Sequence, residues 1–188
     1  MTPTHPPRVL MIAAKGFEDS ELFDVRTALA DAGAQVYLAS IDKEPIKGVV
    51  WDAATGVSAP SAQSITPDKT LEQVSVDDYE ALVLPGGLVN PDILRTIPAA
   101  VEIVQQFMGR NKVVAALCHA PWLLVEADVL RGRTLTGWRS IRRDLLNAGA
   151  TVVDQEVVVD GNLISSRMPS DIPAFSNAIK HALGLVAA

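Results

Sequence analysis

Cys118 is the one cysteine of this chain, and it stands where an apolar run gives way to a helix start: Lys112-Val113-Val114-Ala115-Ala116-Leu117-Cys118-His119-Ala120-Pro121-Trp122. A strand that turns sharply into a helix, with a nucleophile at the junction and small residues two before and two after, has the layout of a nucleophile elbow. Ala116 and Ala120 are those small residues. They let the turn close and push the sulfur out at the carboxyl end of the strand, where open α/β sheets form ligand sites. The alternative is a buried cysteine serving as a small hydrophobe.

Two other strand ends carry candidate chemistry to the same edge. Gly16-Phe17-Glu18 follows an apolar run over residues 8–14, and Pro85-Gly86-Gly87 follows Ala81-Leu82-Val83-Leu84. The paired glycines let backbone N–H groups point inward, which suits an oxyanion; the plainer reading is a tight turn. Glu18 begins a helix, where the dipole favours a carboxylate by ~0.3–1 kcal/mol, so capping is its simplest role. His119 reads as a base, an orienting group or a surface residue. His5 and His181 lie near the two ends, and nothing has metal-ligand spacing. If Glu18 meets Cys118, two full charges 4 Å apart cost about 4 kcal/mol at an effective dielectric of 20. A helix N-terminus returns at most ~2 kcal/mol. Repulsion wins, so the pair is expected to share one proton near neutral pH and titrate as a unit. A protonated Glu18 would then donate to the thiolate and act as acid and base.

The elements that must position these groups alternate. Continuous apolar runs at 8–14, 35–41, 81–84 and 113–117 read as strands buried on both faces of a parallel sheet. Between the first two, Leu22, Val25, Ala28 and Leu29 recur at helical spacing, and Gly33 ends that helix. A helix with Val101, Val104 and Phe107 inward precedes the Cys118 strand. Alternation continues through 142–147 and 151–153 to a last helix near 171–183. Residues 44–65 predict an edge hairpin, and Asp160-Gly161-Asn162 the turn of another. Trp51, Trp122 and Trp138 read as core or interface residues, and Arg139, Arg142 and Arg143 as a solvated helix face. Residues 1–7 form a flexible tail and 8–188 a single α/β domain.

Composition narrows the function. With 188 residues, 48% hydrophobic and 20% charged, the chain suits one globular domain. Its net charge of −6 argues against a nucleic-acid backbone as partner. A single cysteine cannot form an internal disulfide, and no apolar run reaches the ~18–20 residues of a membrane span. The start Met1-Thr2-Pro3-Thr4-His5-Pro6-Pro7 lacks the basic and apolar regions of a signal peptide. A cytoplasmic protein is expected.

Several motifs in order resemble a known family: Gly16-Phe17-Glu18-Asp19-Ser20-Glu21-Leu22, the run from Ala81 to Gly87, Asn90-Pro91-Asp92 and Val114-Ala115-Ala116-Leu117-Cys118-His119. Val129-Leu130-Arg131-Gly132-Arg133 and Glu156-Val157-Val158-Val159-Asp160-Gly161-Asn162 add to them. Together they resemble the PfpI-like intracellular proteases, within the glutamine-amidotransferase-like superfamily that also holds the protein deglycases. The resemblance implies a flavodoxin-like, doubly wound three-layer sandwich with a mostly parallel central sheet and small antiparallel edge hairpins. It implies Cys118 as nucleophile beside His119, Glu18 hydrogen-bonded to the thiol, and an oxyanion pocket at Gly86 and Gly87 with the N–H of His119. Ala120 stands where the family usually has Gly, so its methyl is expected to narrow the pocket or shift the elbow. Family members are homodimers or larger, and in the proteases an acidic residue after the Gly-Gly turn reaches a neighbouring subunit's His. Asp92 is the candidate here, one residue further along and with a shorter side chain.

Three functions compete. The leading one is a stress-protective, cofactor-independent thiol hydrolase acting on reactive dicarbonyls or their early adducts with proteins, with Cys118 attacking a carbonyl and Glu18 moving the proton. The second is a cysteine peptidase, which needs a base held by a carboxylate and so depends on Asp92. Adjacent residues at the elbow do not naturally face one another, which makes Cys118 and His119 alone a poor dyad. The third is a redox-sensing holdase. Glutaminase chemistry is not expected, because no His-x-Glu pair follows His119.

Overall fold

The computed structural model describes residues 5–185. Strands β1 (Arg8–Ile12) and β2 (Gln35–Ser40) pair in parallel and are joined by helix α1 (Asp19–Asp31). The chain then leaves the sheet as an antiparallel hairpin, β3 (Ile46–Asp52) with β4 (Val57–Ile65), before β5 (Lys69–Thr70) returns beside β2. Strand β6 (Ala81–Leu84) enters on the other side of β1, and helices α2 (Val89–Leu94) and α3 (Pro98–Gly109) lead on to β7 (Val113–Leu117). Helix α4 (Pro121–Glu126) follows, then β8 (Thr134–Leu135), α5 (Arg142–Asn147) and β9 (Thr151–Val152). The hairpin β10 (Val157–Asp160) and β11 (Leu163–Ser166) closes the far edge, and α6 (Ile172–Ala182) ends the fold.

The central sheet runs β10-β11-β7-β6-β1-β2-β5, and only the β10–β11 pairing is antiparallel. Alternate side chains of its inner strands feed two separate cores. Leu10, Ile12, Leu82, Leu84 and Val114 pack with Val104, Phe107 and Leu124 on one face. Val9, Met11, Val83, Ala115 and Leu117 pack with Leu22, Val25, Leu29, Phe175 and Ile179 on the other. Burial on both faces is why these strands read as unbroken apolar runs rather than alternating ones. Each fully buried Leu or Phe contributes about 1.5–3 kcal/mol, and the result is the three-layer α/β sandwich that the alternation predicts. The helix–Gly33 boundary also stands: Gly33 takes φ 98° while Gly33 N–H and Ala34 N–H bond the carbonyls of Ala30 and Leu29.

The order in which strands are added reverses between the parallel neighbours β1 and β6, because β2 lies on one side of β1 and β7 on the far side of β6. That reversal opens a crevice at the carboxyl ends of these strands. The expected strand at 151–153 is displaced from the alternation, since β9 pairs only with β8 in a two-stranded sheet of its own. Helix α2 is new; six residues are too few to show a helical period. Of the tail expected over 1–7, residues 1–4 lie outside the described residues, and the Pro7 carbonyl accepts the N–H of Gln35 at 2.9 Å. No helix among the described residues is long and apolar enough to cross a membrane.

The hairpin β3–β4 is tied to the start of α1 rather than to the sheet. Gly16 N–H donates to Lys47 O at 2.8 Å and Val49 N–H to Phe17 O at 2.7 Å. Trp51 N–H donates to Glu18 Oε1 at 3.3 Å, and the Ser61 hydroxyl to Asp19 Oδ2 at 2.5 Å. Gly48 sits at the closest approach, where a Cβ would overlap Asp19 Oδ1 and lie 2.6 Å from the Phe17 carbonyl oxygen. Overpacking of this kind costs about 1–3 kcal/mol. Gly48→Ala is therefore expected to lower the unfolding midpoint and to expose residues 53–64 to limited proteolysis, both measurable against wild type.

Candidate active site

The carboxyl ends of β1, β6 and β7 stand side by side in the sheet, so the three junctions carrying Glu18, Gly86-Gly87 and Cys118 converge. At the last of them the backbone of Cys118 takes φ 63°, the left-handed region. A residue with a Cβ pays about 1–2 kcal/mol there, and surrounding bonds hold it in place. Cys118 N–H donates to Ser166 O at 3.1 Å and Cys118 O accepts from Trp138 N–H at 2.8 Å. The turn leaves the thiol only 5% exposed.

The carboxylate against the sulfur is Glu21, not Glu18. Glu21 is wholly buried beside Cys118 and accepts the Gly86 N–H on Oε2 at 2.7 Å, while its Oε1 is buried with no hydrogen-bond partner among the described residues. Glu18, expected against the thiol, instead caps α1: its Oε2 accepts from Glu21 N–H at 3.0 Å and from the Ser20 hydroxyl at 2.5 Å. A capping side chain folds back on its own first turn, so the carboxylate that reaches across is the one three residues later. Glu21 had a readable signal. It falls in step with Val25, Ala28 and Leu29 on the apolar stripe of α1, where an ionisable residue is out of place.

The glycines divide the work. Gly86 spends its N–H on Glu21, and a Cβ there would lie 2.6 Å from Glu21 Oε2 and 2.7 Å from Cys118 Cβ. Gly87, at φ 77°, turns its N–H to the sulfur, where the N–H of His119 joins it. Ala120 packs into the core behind the elbow and does not line the cavity, so its methyl leaves the pocket unchanged.

His119 corrects a second expectation. Its Nδ1 lies 3.1 Å from Cys118 Sγ. Adjacent side chains diverge along a regular helix or strand, and the left-handed turn at Cys118 belongs to neither. The ring stacks on Trp138 at 5.4 Å and 28°, and its Nε2 is 3.4 Å from Ser140 Oγ. Asp92 is exposed on α2 and makes no hydrogen bond to His119 within the chain. Among the described residues no group of three or more His, Cys, Asp or Glu is placed to hold a metal ion.

Burial sets the protonation states. Glu21 is pushed up to about 8, first by burial and then by the nearby charge of Glu18, against the opposing bond from Gly86. Burial and the Glu21 charge also push the Cys118 thiol up, while the N–H groups of Gly87 and His119 pull it down. His119 is lowered to about 4 by burial and is a neutral ring at pH 7. These groups border a cavity of about 570 Å³ whose other walls include Trp51 and Trp138. The two tryptophans, read from the sequence as core or interface residues, are half-buried and face that space.

A strained cysteine elbow with a buried acid and two inward N–H groups makes this cavity a candidate thiol active site. The pattern describing the DJ-1/PfpI family matches residues 7–182, and the chain belongs to that family. It is 40% identical over 168 residues to Deglycase PfpI of Pyrococcus furiosus, covering 89% of this chain and 94% of that protein. It is 38% identical over 181 residues to Protein/nucleic acid deglycase 2 of Escherichia coli, covering 94% and 98%. The crystal structure of Drosophila melanogaster DJ-1beta superposes with a TM-score of 0.82 at 30% identity, covering 95% of this chain and 91% of that one.

Two measurements follow from the coupled acids. In thiol alkylation against pH, Glu21→Gln removes the opposing charge and lowers the midpoint, whereas Glu18→Gln moves it less; a profile unmoved by Glu21→Gln refutes the contact. Stability should also depend on pH. Glu21 titrates near 4.5 when unfolded and about 8 when folded, so folding takes up a proton between these values. Stability therefore falls as pH rises, and above 6.5 the opposing contribution of His119 has ended. Denaturant unfolding between pH 6.5 and 8 should show this slope in wild type and lose it in Glu21→Gln.

Proposed function

We propose that the protein is a cysteine-dependent hydrolase of the deglycase or glyoxalase type, acting on reactive dicarbonyls or their early adducts with proteins. The observation that carries this reading is the buried Glu21 carboxyl, held by the Gly86 N–H, in one cavity with Gly87, His119 and the strained Cys118 elbow. In a 2-oxoaldehyde R–CO–CHO, Sγ adds to the aldehyde carbon, the thiol proton ends on the former carbonyl oxygen, and a hemithioacetal forms. Gly87 and His119 N–H groups steady the charge that develops on that oxygen. Ionised Glu21 then takes the hydrogen of the aldehyde carbon as a proton and returns it to the neighbouring carbon, while the hydroxyl proton of the first carbon passes to the oxygen of the second. The first carbon is oxidised to a thioester and the second is reduced to an alcohol. Water cleaves the thioester, restoring the thiol, so R–CO–CHO and H₂O become R–CHOH–COOH with no external oxidant. A carboxyl titrating near 8 suits a group that must give and take a proton near neutral pH.

The same reading takes the enzyme as a cytoplasmic protein that works without a cofactor and, as the resemblance implies, as a homodimer or larger homo-oligomer. A peptidase is the second reading, favoured by the 3.1 Å contact of Cys118 Sγ with His119 Nδ1. It lacks a carboxylate to orient the ring within the chain, and exposed Asp92 could serve only from another copy.

Methylglyoxal consumption and lactate release test the proposal. Cys118→Ser should abolish both, and Glu21→Gln should lower kcat about 10²–10⁴-fold with a smaller effect from Glu18→Gln. Equal dicarbonyl loss in wild type and Cys118→Ser overturns it. Cys118-dependent cleavage of a denatured protein, without lactate, favours the peptidase.

A further inference from the structure

The cavity over Cys118 is larger than methylglyoxal needs. At about 570 Å³ it lies in the range that accepts drug-sized ligands, whereas methylglyoxal carries only a methyl group beyond its two carbonyls. The surplus has an aromatic wall. Trp51 meets Trp138 edge to face at 5.3 Å and 84°, and Trp138 stacks on His119, whose ring touches the sulfur. The aromatic run therefore extends from the reacting atom into the unused space.

How Trp51 reaches that space indicates that it is placed there. Strand β3 alternates, so Val49 and Trp51 line the cavity while Val50 turns out to solvent, 47% exposed. The hairpin carrying it pairs only with itself apart from a single bridge between Glu18 and Val49, and its bonds run to the first turn of α1. It adds little to either core, and its main built surface is this wall. At the mouth, Val57 and Leu88 are left 63% and 57% exposed, apolar surface that a broad apolar substituent would cover.

We infer that the Trp51–Trp138 corner is a specificity subsite that selects carbonyl substrates bearing an aromatic substituent, arylglyoxals in preference to methylglyoxal. The inference takes its chemistry from the deglycase or glyoxalase reading. The substituent R of R–CO–CHO stacks in the corner while the aldehyde carbon faces Sγ, and no bond-making step changes. Trp51 is a binding residue in this scheme and takes no part in proton transfer.

Two arms test it. In the first, kcat/KM is measured for phenylglyoxal and methylglyoxal; wild type should favour phenylglyoxal about 10- to 100-fold, the range expected for burying one ring. Trp51→Ala should cut that ratio at least about tenfold, chiefly through KM, and Trp51→Phe should restore most of it. A ratio unchanged in Trp51→Ala overturns the subsite. The second arm needs neither turnover nor a Trp51 variant: Cys118→Ser is titrated by calorimetry with acetophenone and with 2-butanone. Tighter binding of acetophenone supports the subsite, and equal binding overturns it. If dicarbonyl turnover survives Cys118→Ser, the reaction is refuted, while the calorimetric arm still decides the subsite.

Discussion

The site depends on a backbone angle that a cysteine adopts only under constraint. At φ 63° Cys118 stands in a region glycine fills freely, and bonds to Ser166 and Trp138 prevent its relaxation. From this one dihedral follow the exposure of Sγ to the crevice, the approach of Gly87, and the contact with His119. The sheet supplies the restraint, since Ser166 ends β11, the strand paired to β7. Strain at a reactive residue is maintained here by the rigid pairing of its neighbours.

Burial then places two acids where one charge is already unfavourable. Glu21 and Cys118 are both pushed toward their protonated forms, and only a few N–H groups oppose that trend. The Gly86 N–H favours charge on the carboxyl, whereas Gly87 and His119 favour charge on the sulfur. Adjacent peptides of one turn thus compete over where the negative charge rests. Glu18 adds to the pressure on Glu21 from one helical turn away, so a capping residue also tunes the acid.

Much of this was legible in the chain itself. Unbroken apolar runs announce strands covered on both faces, and the small residues around Cys118 announce the elbow, because each pattern is set locally. The acid left a weaker signal, an ionisable residue on the apolar stripe of α1. Glu18 and Glu21 sit in the same first turn, and choosing between them requires knowing which side chain folds back on its own helix. His119 escaped for a related reason, since its direction depends on a dihedral one residue earlier. Trp51 and Trp138 meet across 87 positions (138 − 51), and no local pattern reports a contact at that separation. Helix α2 and strand β9 are too short to leave a period.

The hairpin β3–β4 differs from every other element in how it is attached. It hangs from the acidic first turn of α1 by a handful of hydrogen bonds and lends the cores little beyond Ile46 and Ile65. Away from Ile46 and Gly48, changes in its side chains touch the cores little, yet they rebuild the wall that faces the sulfur. The domain thereby separates two kinds of variation. Drift in the sandwich is limited by folding, while drift in the hairpin is free to explore new ligands on an unaltered reactive centre.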